Sequence, residues 1–280
     1  MIHSHLPLYI EIDLALLLMS VLLCLFTWLA GLCVSPFTKN KLNLPSITLY
    51  SGSRFPIWLD QVYTMAFIMY FAWSSGYSHF NSAGEPRDME NAVYGIEMVL
   101  SNLLIYLPML VRYATLPRWQ KPALTVGKSL LYIFGALMTI YCITVMLEIC
   151  GLFRLLTDKT GAPMMQNVLE MMYYGDTYTR ICLIISAVIV APICEECCFR
   201  GFLYNSLKRY SGPFAATLAS GLVFSAVHTA LLQFIPLAVF GWVMCFVYER
   251  TRRLWVPIAI HMTFNAISTA VVLIFGVPTV

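Results

Sequence analysis

Fourteen uncharged, mostly apolar residues, Ile181 to Cys194, run straight into Glu195 and Glu196, with Arg200 one helical turn further on. A helix needs about 20 residues to cross roughly 30 Å of hydrocarbon, and a run of this length rises only about 21 Å. A spanning helix at this place therefore carries both carboxylates into the bilayer. Ionisable groups are costly there, and by default they mark a functional site.

The surrounding composition makes a membrane the only reasonable solvent. Mean hydropathy is +0.76, hydrophobic residues make up 60% of the chain and charged residues 11%, far from the averages of soluble domains. Polar breaks divide the chain into candidate spans Asp13 to Val34, Pro56 to Tyr77, Ala92 to Arg112, Ser129 to Phe153, Ile181 to about Leu207, Phe214 to Gln233, Pro236 to Tyr248, and Leu254 to Phe275. The expected fold class is thus all-α, a polytopic membrane protein of about eight transmembrane helices. The seventh run is short and follows the sixth with almost no polar link, the pattern of a helical hairpin that stops short of a full crossing. Glu11 and Asp13 mark the outer boundary of the first span, which has no positive leader before it and reads as retained.

Positive residues stay on the cytoplasmic side of a membrane, so they orient the spans. Lys39, Lys41, Arg54, Arg112, Arg118, Lys121, Lys128, Lys208, Arg209, Arg250, Arg252 and Arg253 fall in loops on one side, twelve in all; Arg87, Arg154, Lys159 and Arg180, four, fall on the other. This split places the protein in the cell membrane with both termini non-cytoplasmic. The net charge of +3 reports topology and gives no reason to expect nucleic acid as a partner. Seven of the nine cysteines lie in apolar runs, where they act as small hydrophobes.

No repeat or low-complexity tract divides the chain, but polar density inside the spans does. Residues 1–178 read as an N-terminal scaffold of four spans and long loops, and residues 179–280 as a core whose spans carry acids, histidines and an asparagine. Residues 154–180 form an external loop with an apolar stretch, Met164 to Tyr174, suited to an amphipathic helix lying on the surface.

Helix geometry sorts the polar core residues. At 100° per residue, Arg200 lies about 40° from Glu196 and about 140° from Glu195. Glu196 and Arg200 can pair along one face, which leaves Glu195 without a local cation and makes it the better general base. His228 closes Phe224-Ser-Ala-Val-His228 in the sixth span, and His261 and Asn265 share a face of the eighth. Donors fixed where negative charge develops serve an oxyanion. Together the three spans supply a base, a second proton-handling group and a donor pair, enough for attack of water on an amide carbonyl.

Glu195-Glu196-Cys-Cys-Phe199-Arg200-Gly201, Phe224-x-x-x-His228 and His261-x-x-x-Asn265, in this order, resemble the three motifs of the CAAX prenyl endopeptidase and bacteriocin-processing family of intramembrane proteases. Tyr248-Glu249-Arg250-Thr251 followed by Leu254-Trp255-x-Pro257 is similar to its bacterial and archaeal branch, and the likeness covers roughly residues 180–270. The resemblance implies a glutamate-dependent endopeptidase in which Glu195 and His228 activate water, Glu196 and Arg200 orient the site, and His261 and Asn265 stabilise the oxyanion. It implies a peptide or protein substrate, with or without a prenyl group, held in membrane lipid. Eukaryotic members tend to carry a further histidine after the second motif, where this chain has Thr229 and Ala230.

Plainer roles exist for each residue: a structural ion pair for Glu196 and Arg200, and interhelical hydrogen bonds for His228, His261 and Asn265. The competing function is a non-catalytic membrane scaffold or immunity partner built on the same fold. Two histidines and two carboxylates could also ligate zinc. The His-Glu-x-x-His helix is absent, however, and the histidines stand 33 residues apart on different spans, so no metal or other cofactor is expected.

Overall fold

The computed structural model describes residues 8–22, 125–163 and 167–276; the second and third expected spans, and most of the first, lie outside them. Among the described residues every regular element is helical, which bears out the all-α class. These elements are α1 (8–22), α2 (Val126–Ile149), α3 (Leu152–Thr160), α4 (Asn167–Tyr174), α5 (Thr177–Tyr204), α6 (Asn205–Ala226), α7 (Phe234–Thr251) and α8 (Trp255–Phe275). Four described helical segments are long and apolar enough to cross a membrane: α2, α5, Leu231–Thr251 and α8.

Local signals explain most of the boundaries. Thr125 caps α2, accepting from the Lys128 amide at 3.4 Å, and Asp176 caps α5, accepting from the Thr179 amide at 2.7 Å. Arg180 reaches back to the C-terminal carbonyls of α4, donating to Met172 O at 2.8 Å and Tyr173 O at 3.0 Å. The short α4 is thereby fastened to α5, with Met171 and Met172 buried against Leu183. The amphipathic surface helix expected within 164–174 is thus a packed one.

α5 continues into α6 without a break until Gly212, whose φ of 79° and ψ of 170° are non-helical; Pro213 restarts the helix. Within α5 two stretches, Ser186–Val190 and Cys197–Tyr204, wind as π-helix. Such bulges are frequent at functional sites, and these two bracket Glu195 and Glu196.

The sixth span was expected to run to Gln233, and the structure corrects this. Helical hydrogen bonding ends at Ala226, Thr229 takes a positive φ of 43°, and Ala230 is extended. The arm after Pro213 then rises only about 21 Å. A 3-10 turn at Leu231–Gln233 leads into α7, and its Leu231 and Leu232 are buried with Phe153 and Ala162 under α3. The tip of the α6–α7 hairpin is therefore inside the protein. Asp13 lies within α1 and is 3% exposed.

The two arms of this hairpin meet backbone to backbone. A Cβ on Gly241 would lie 2.7 Å from Gly221 Cα, and one on Gly221 would lie 2.2 Å from the Trp242 ring. Gly241→Ala should therefore force α6 and α7 apart and lower stability by about 1–3 kcal/mol. Thermal unfolding in detergent measures this, and an unchanged midpoint would mean that the crossing is slack.

Candidate active site

Burial decides how the charges in α5 are arranged. Arg200 and Glu196 are both 0% exposed, and an uncompensated ion there would be prohibitive. Arg200 Nη1 donates to Glu196 Oε1 at 2.8 Å, the pair read from helix spacing. Arg200 also donates from Nη2 to the Gly241 carbonyl at 3.4 Å and lies over the Phe224 ring, 4.6 Å from its centroid. Hydrogen bonds and a cation–π contact thus take the place of solvent. The close Gly221–Gly241 crossing is what brings that carbonyl within reach.

Glu196 has a second partner that sequence spacing does not reveal. His261 Nδ1 lies 3.0 Å from Glu196 Oε1, joining α8 to α5 across 65 positions. His228 Nδ1 lies 2.7 Å from the Phe224 carbonyl. A carbonyl and a carboxylate can only accept, so each Nδ1 carries the proton, and in the neutral rings each Nε2 is a bare acceptor. Both of these nitrogens face Glu195: its Oε2 is 3.8 Å from His228 Nε2 and 3.9 Å from His261 Nε2. Glu195 Oε2 is buried and has no hydrogen-bond partner among the described residues. Three acceptors thus converge with no donor among them.

Glu195, His228 and His261 form the inner end of a cavity of about 300 Å³. Its walls come from α2 (Tyr141, Thr144), α4 (Val168, Leu169, Met172) and α8 (Phe264, Asn265, Ser268, Thr269), with Gln233, Pro236, Leu237 and Phe240 opposite. Glu196 and Arg200 are behind this surface, not on it. Several lining residues lie outside the motifs. One signal for them exists in the sequence: positions 261, 264, 265, 268 and 269 follow the i, i+3, i+4, i+7, i+8 stripe of one helix face, so Ser268 and Thr269 continue the His261–Asn265 line. For Tyr141 and Thr144, on a helix 100 residues and more away, there was none.

Asn265 reaches the π-wound part of α5. Its Nδ2 donates to the Ala187 carbonyl at 2.8 Å. The reason lies in the backbone. The Ala191 amide bonds Ser186 O in the π register, so the next carbonyl, Ala187 O, would be taken by residue 192, which is proline and has no N–H. Asn265 supplies the missing donor and keeps its second amide hydrogen free of that bond. Among the described residues no three of His, Cys, Asp and Glu are grouped so as to hold a metal ion. Cys194, Cys197, Cys198 and Cys245 are buried and not in disulfides, in keeping with a packing role.

Comparison with known proteins places this geometry. The family model described as type II CAAX prenyl endopeptidase, Rce1-like, matches residues 177–267, the segment from the start of α5 into α8. YdiL of Bacillus subtilis, named as a membrane peptidase, is 37% identical over 83 residues, which is 30% of this chain and 34% of that protein. The membrane-embedded CAAX protease MroQ of Staphylococcus aureus is 38% identical over 84 residues, 28% of this chain and 34% of its own. The matches thus span about a third of the length of these curated relatives. No solved structure matches. The resemblance carried by the three motifs is borne out over residues 177–267, which are similar to CAAX-type membrane proteases and lie among several helices apolar enough to cross a membrane.

Proposed function

We propose that the protein is an intramembrane endopeptidase that hydrolyses a peptide bond in a hydrophobic or lipidated, CAAX-type, membrane-associated peptide with water activated by Glu195 and His228. The observation that carries this reading is the gap between Glu195 Oε2, His228 Nε2 and His261 Nε2. Acceptors 3.8 and 3.9 Å apart cannot bond one another directly, and a water molecule between them supplies the donors they lack. Glu195 takes a proton from that water as its oxygen attacks the carbonyl carbon, then returns the proton to the leaving nitrogen. The oxyanion is met by the second Asn265 N–H, while His261, held through Nδ1 by Glu196, accepts from the attacking water through Nε2. Arg200 holds Glu196 in place. Chemistry resides in residues 179–280, while residues 1–178 supply α2 and α4 as cavity wall.

Glu195, His228 and His261 are residue types that ligate zinc, although they are not grouped here so as to hold a metal ion, and the deciding experiment separates the two mechanisms. Purified protein in detergent is incubated with hydrophobic peptides, and the products are read by mass spectrometry. Cleavage should persist in strong chelators. Its loss, with recovery on adding zinc, would turn His228, His261 and Glu195 into ligands and overturn the water-only mechanism.

The two duties of Asn265 can also be separated. Asn265→Ala should lower turnover by roughly 100- to 1,000-fold, the usual effect of one oxyanion donor, and should also cost about 1–3 kcal/mol because the Ala187 carbonyl loses its donor. Adding Pro192→Ala restores a backbone N–H at that position. The double variant should regain stability but not turnover, and recovery of both would assign Asn265 a purely structural role.

A further inference from the structure

Asn205, at the junction of α5 and α6, holds a polar side chain where polarity is costly. It is 6% exposed, and a buried amide is tolerated when its hydrogen-bonding groups find partners. Asn205 Nδ2 donates to the Arg200 carbonyl at 2.9 Å, the Gly201 carbonyl at 3.0 Å and the Tyr248 hydroxyl at 3.2 Å. Two hydrogens serve three acceptors, so one of them is shared. Asn205 is not part of the cavity wall, and the reaction proposed above makes no use of it.

Two of the three acceptors belong to the π-wound stretch Cys197–Tyr204. In that register an amide serves the carbonyl five residues back, which for Asn205 is that of Arg200. The Asn205 amide instead bonds Phe202 O, three residues back. Its side chain takes over the Arg200 carbonyl and adds that of Gly201. The wide turn is thus fastened at the residue whose side chain holds Glu196. A π turn takes in one more residue than an α turn, so rewinding the stretch would rotate Arg200 against Gly241 and Phe224, its partners on α7 and α6.

From Arg200 the contacts lead on to the reacting groups. Arg200 Nη1 donates to Glu196 Oε1 at 2.8 Å, the same oxygen lies 3.0 Å from His261 Nδ1, and His261 Nε2 lies 3.9 Å from Glu195 Oε2. We propose that Asn205 is a positioning residue of this site: it fixes the Arg200 backbone, and through Arg200 and Glu196 it sets the angle of the His261 ring. Its bearing on catalysis rests on the endopeptidase reading above. His228 is anchored separately, by the Phe224 carbonyl.

The first readout needs no turnover. The full chain, carrying isotope-labelled histidine, is purified in detergent, and the imidazole magnetic-resonance signals of His261 and His228 are assigned by their loss in His261→Gln and His228→Gln. Asn205→Ala should move the His261 signal and shift that of His228 less. Asn205→Ser keeps a hydroxyl that can reach the carbonyl four residues back, Gly201, but not Arg200, so it should move the His261 signal by a smaller amount. Tyr248→Phe leaves both carbonyl bonds of Asn205 in place and should leave the signal where it was. The second readout is turnover of a cleaved peptide. Asn205→Ala should lower kcat by roughly 10- to 100-fold with KM unchanged, Asn205→Ser should lower it less, and Tyr248→Phe should leave it unaltered. An unmoved His261 signal in Asn205→Ala overturns the proposal; if that variant does not fold, an unmoved signal in Asn205→Ser does the same. So does a His228 signal that moves as far as that of His261, or a Tyr248→Phe protein as impaired as Asn205→Ala, since either means a general loosening of the bundle. If the unaltered chain cleaves no peptide, the endopeptidase reading fails, and the His261 signal still decides the role of Asn205.

Discussion

Glu195→Gln should abolish turnover while leaving the protein folded. The substitution keeps the size of the side chain and one acceptor oxygen but removes the base, and a positioned general base contributes roughly 100- to 10,000-fold. Stability should change little or rise. The Glu195 carboxylate is buried, its Oε2 has no hydrogen-bond partner among the described residues, and its nearest opposite neighbours are two imidazoles 3.8 and 3.9 Å away. Replacing a carboxylate in such a place with a neutral amide relieves a desolvation cost, and the new N–H₂ group offers the bare Nε2 atoms a donor. The measurement pairs peptide-product formation with the melting midpoint in one detergent. An active Glu195→Gln protein would remove Glu195 from proton transfer, and a strongly destabilised one would show that the carboxylate holds the three helices together.

How far the sequence was legible follows from the range of each interaction. The Glu196–Arg200 pair and the shared face of His261 and Asn265 are separated by one helical turn, and a 100° rotation per residue finds them without tertiary knowledge. The link from Glu196 to His261 crosses 65 positions and two intervening helices, and no periodicity encodes it. The π-wound stretches around Glu195 have no propensity signature; Pro192 marked a weak point in α5, but which carbonyl it would orphan, and that Asn265 would serve it, depends on how α8 is docked. Phe214 to Gln233 holds no acidic or basic residue but His228 and so reads as one continuous span. Hydropathy reports burial, and Leu231 and Leu232 are buried, but in a turn packed under α3 and not in a helix. The wall formed by Tyr141 and Thr144 escaped for the same reason: an uncharged hydroxyl in an apolar helix looks the same whether it faces lipid, a neighbouring helix or a cavity.

Glu196→Gln should behave in the opposite way to Glu195→Gln, losing stability along with activity. Glu196 Oε1 serves Arg200 Nη1 at 2.8 Å and His261 Nδ1 at 3.0 Å, with acid and guanidinium both 0% exposed. A neutral amide can still accept one hydrogen bond, but it leaves the Arg200 charge uncompensated where water cannot reach it. Breaking a buried pair from one side costs about 3–5 kcal/mol, enough to lower the melting midpoint by many degrees in a protein of ordinary marginal stability. At the same time His261 Nδ1 exchanges a charge-assisted bond for a weaker neutral one, so the ring that faces Glu195 is held less firmly and activity falls with it. Removing the stranded cation as well, in Glu196→Gln with Arg200→Met, should recover much of the stability, since a buried ion pair replaced by an apolar group of similar length is often neutral or better. The double variant should remain less active than the unaltered chain, because a neutral amide accepts from His261 Nδ1 more weakly than a carboxylate does. Melting midpoint and turnover for the single and double variants, measured in the same detergent as Glu195→Gln, give the answer. A Glu196→Gln protein as stable as the unaltered chain, beside a Glu195→Gln protein that unfolds, would exchange the roles of the two glutamates and make Glu196 the base.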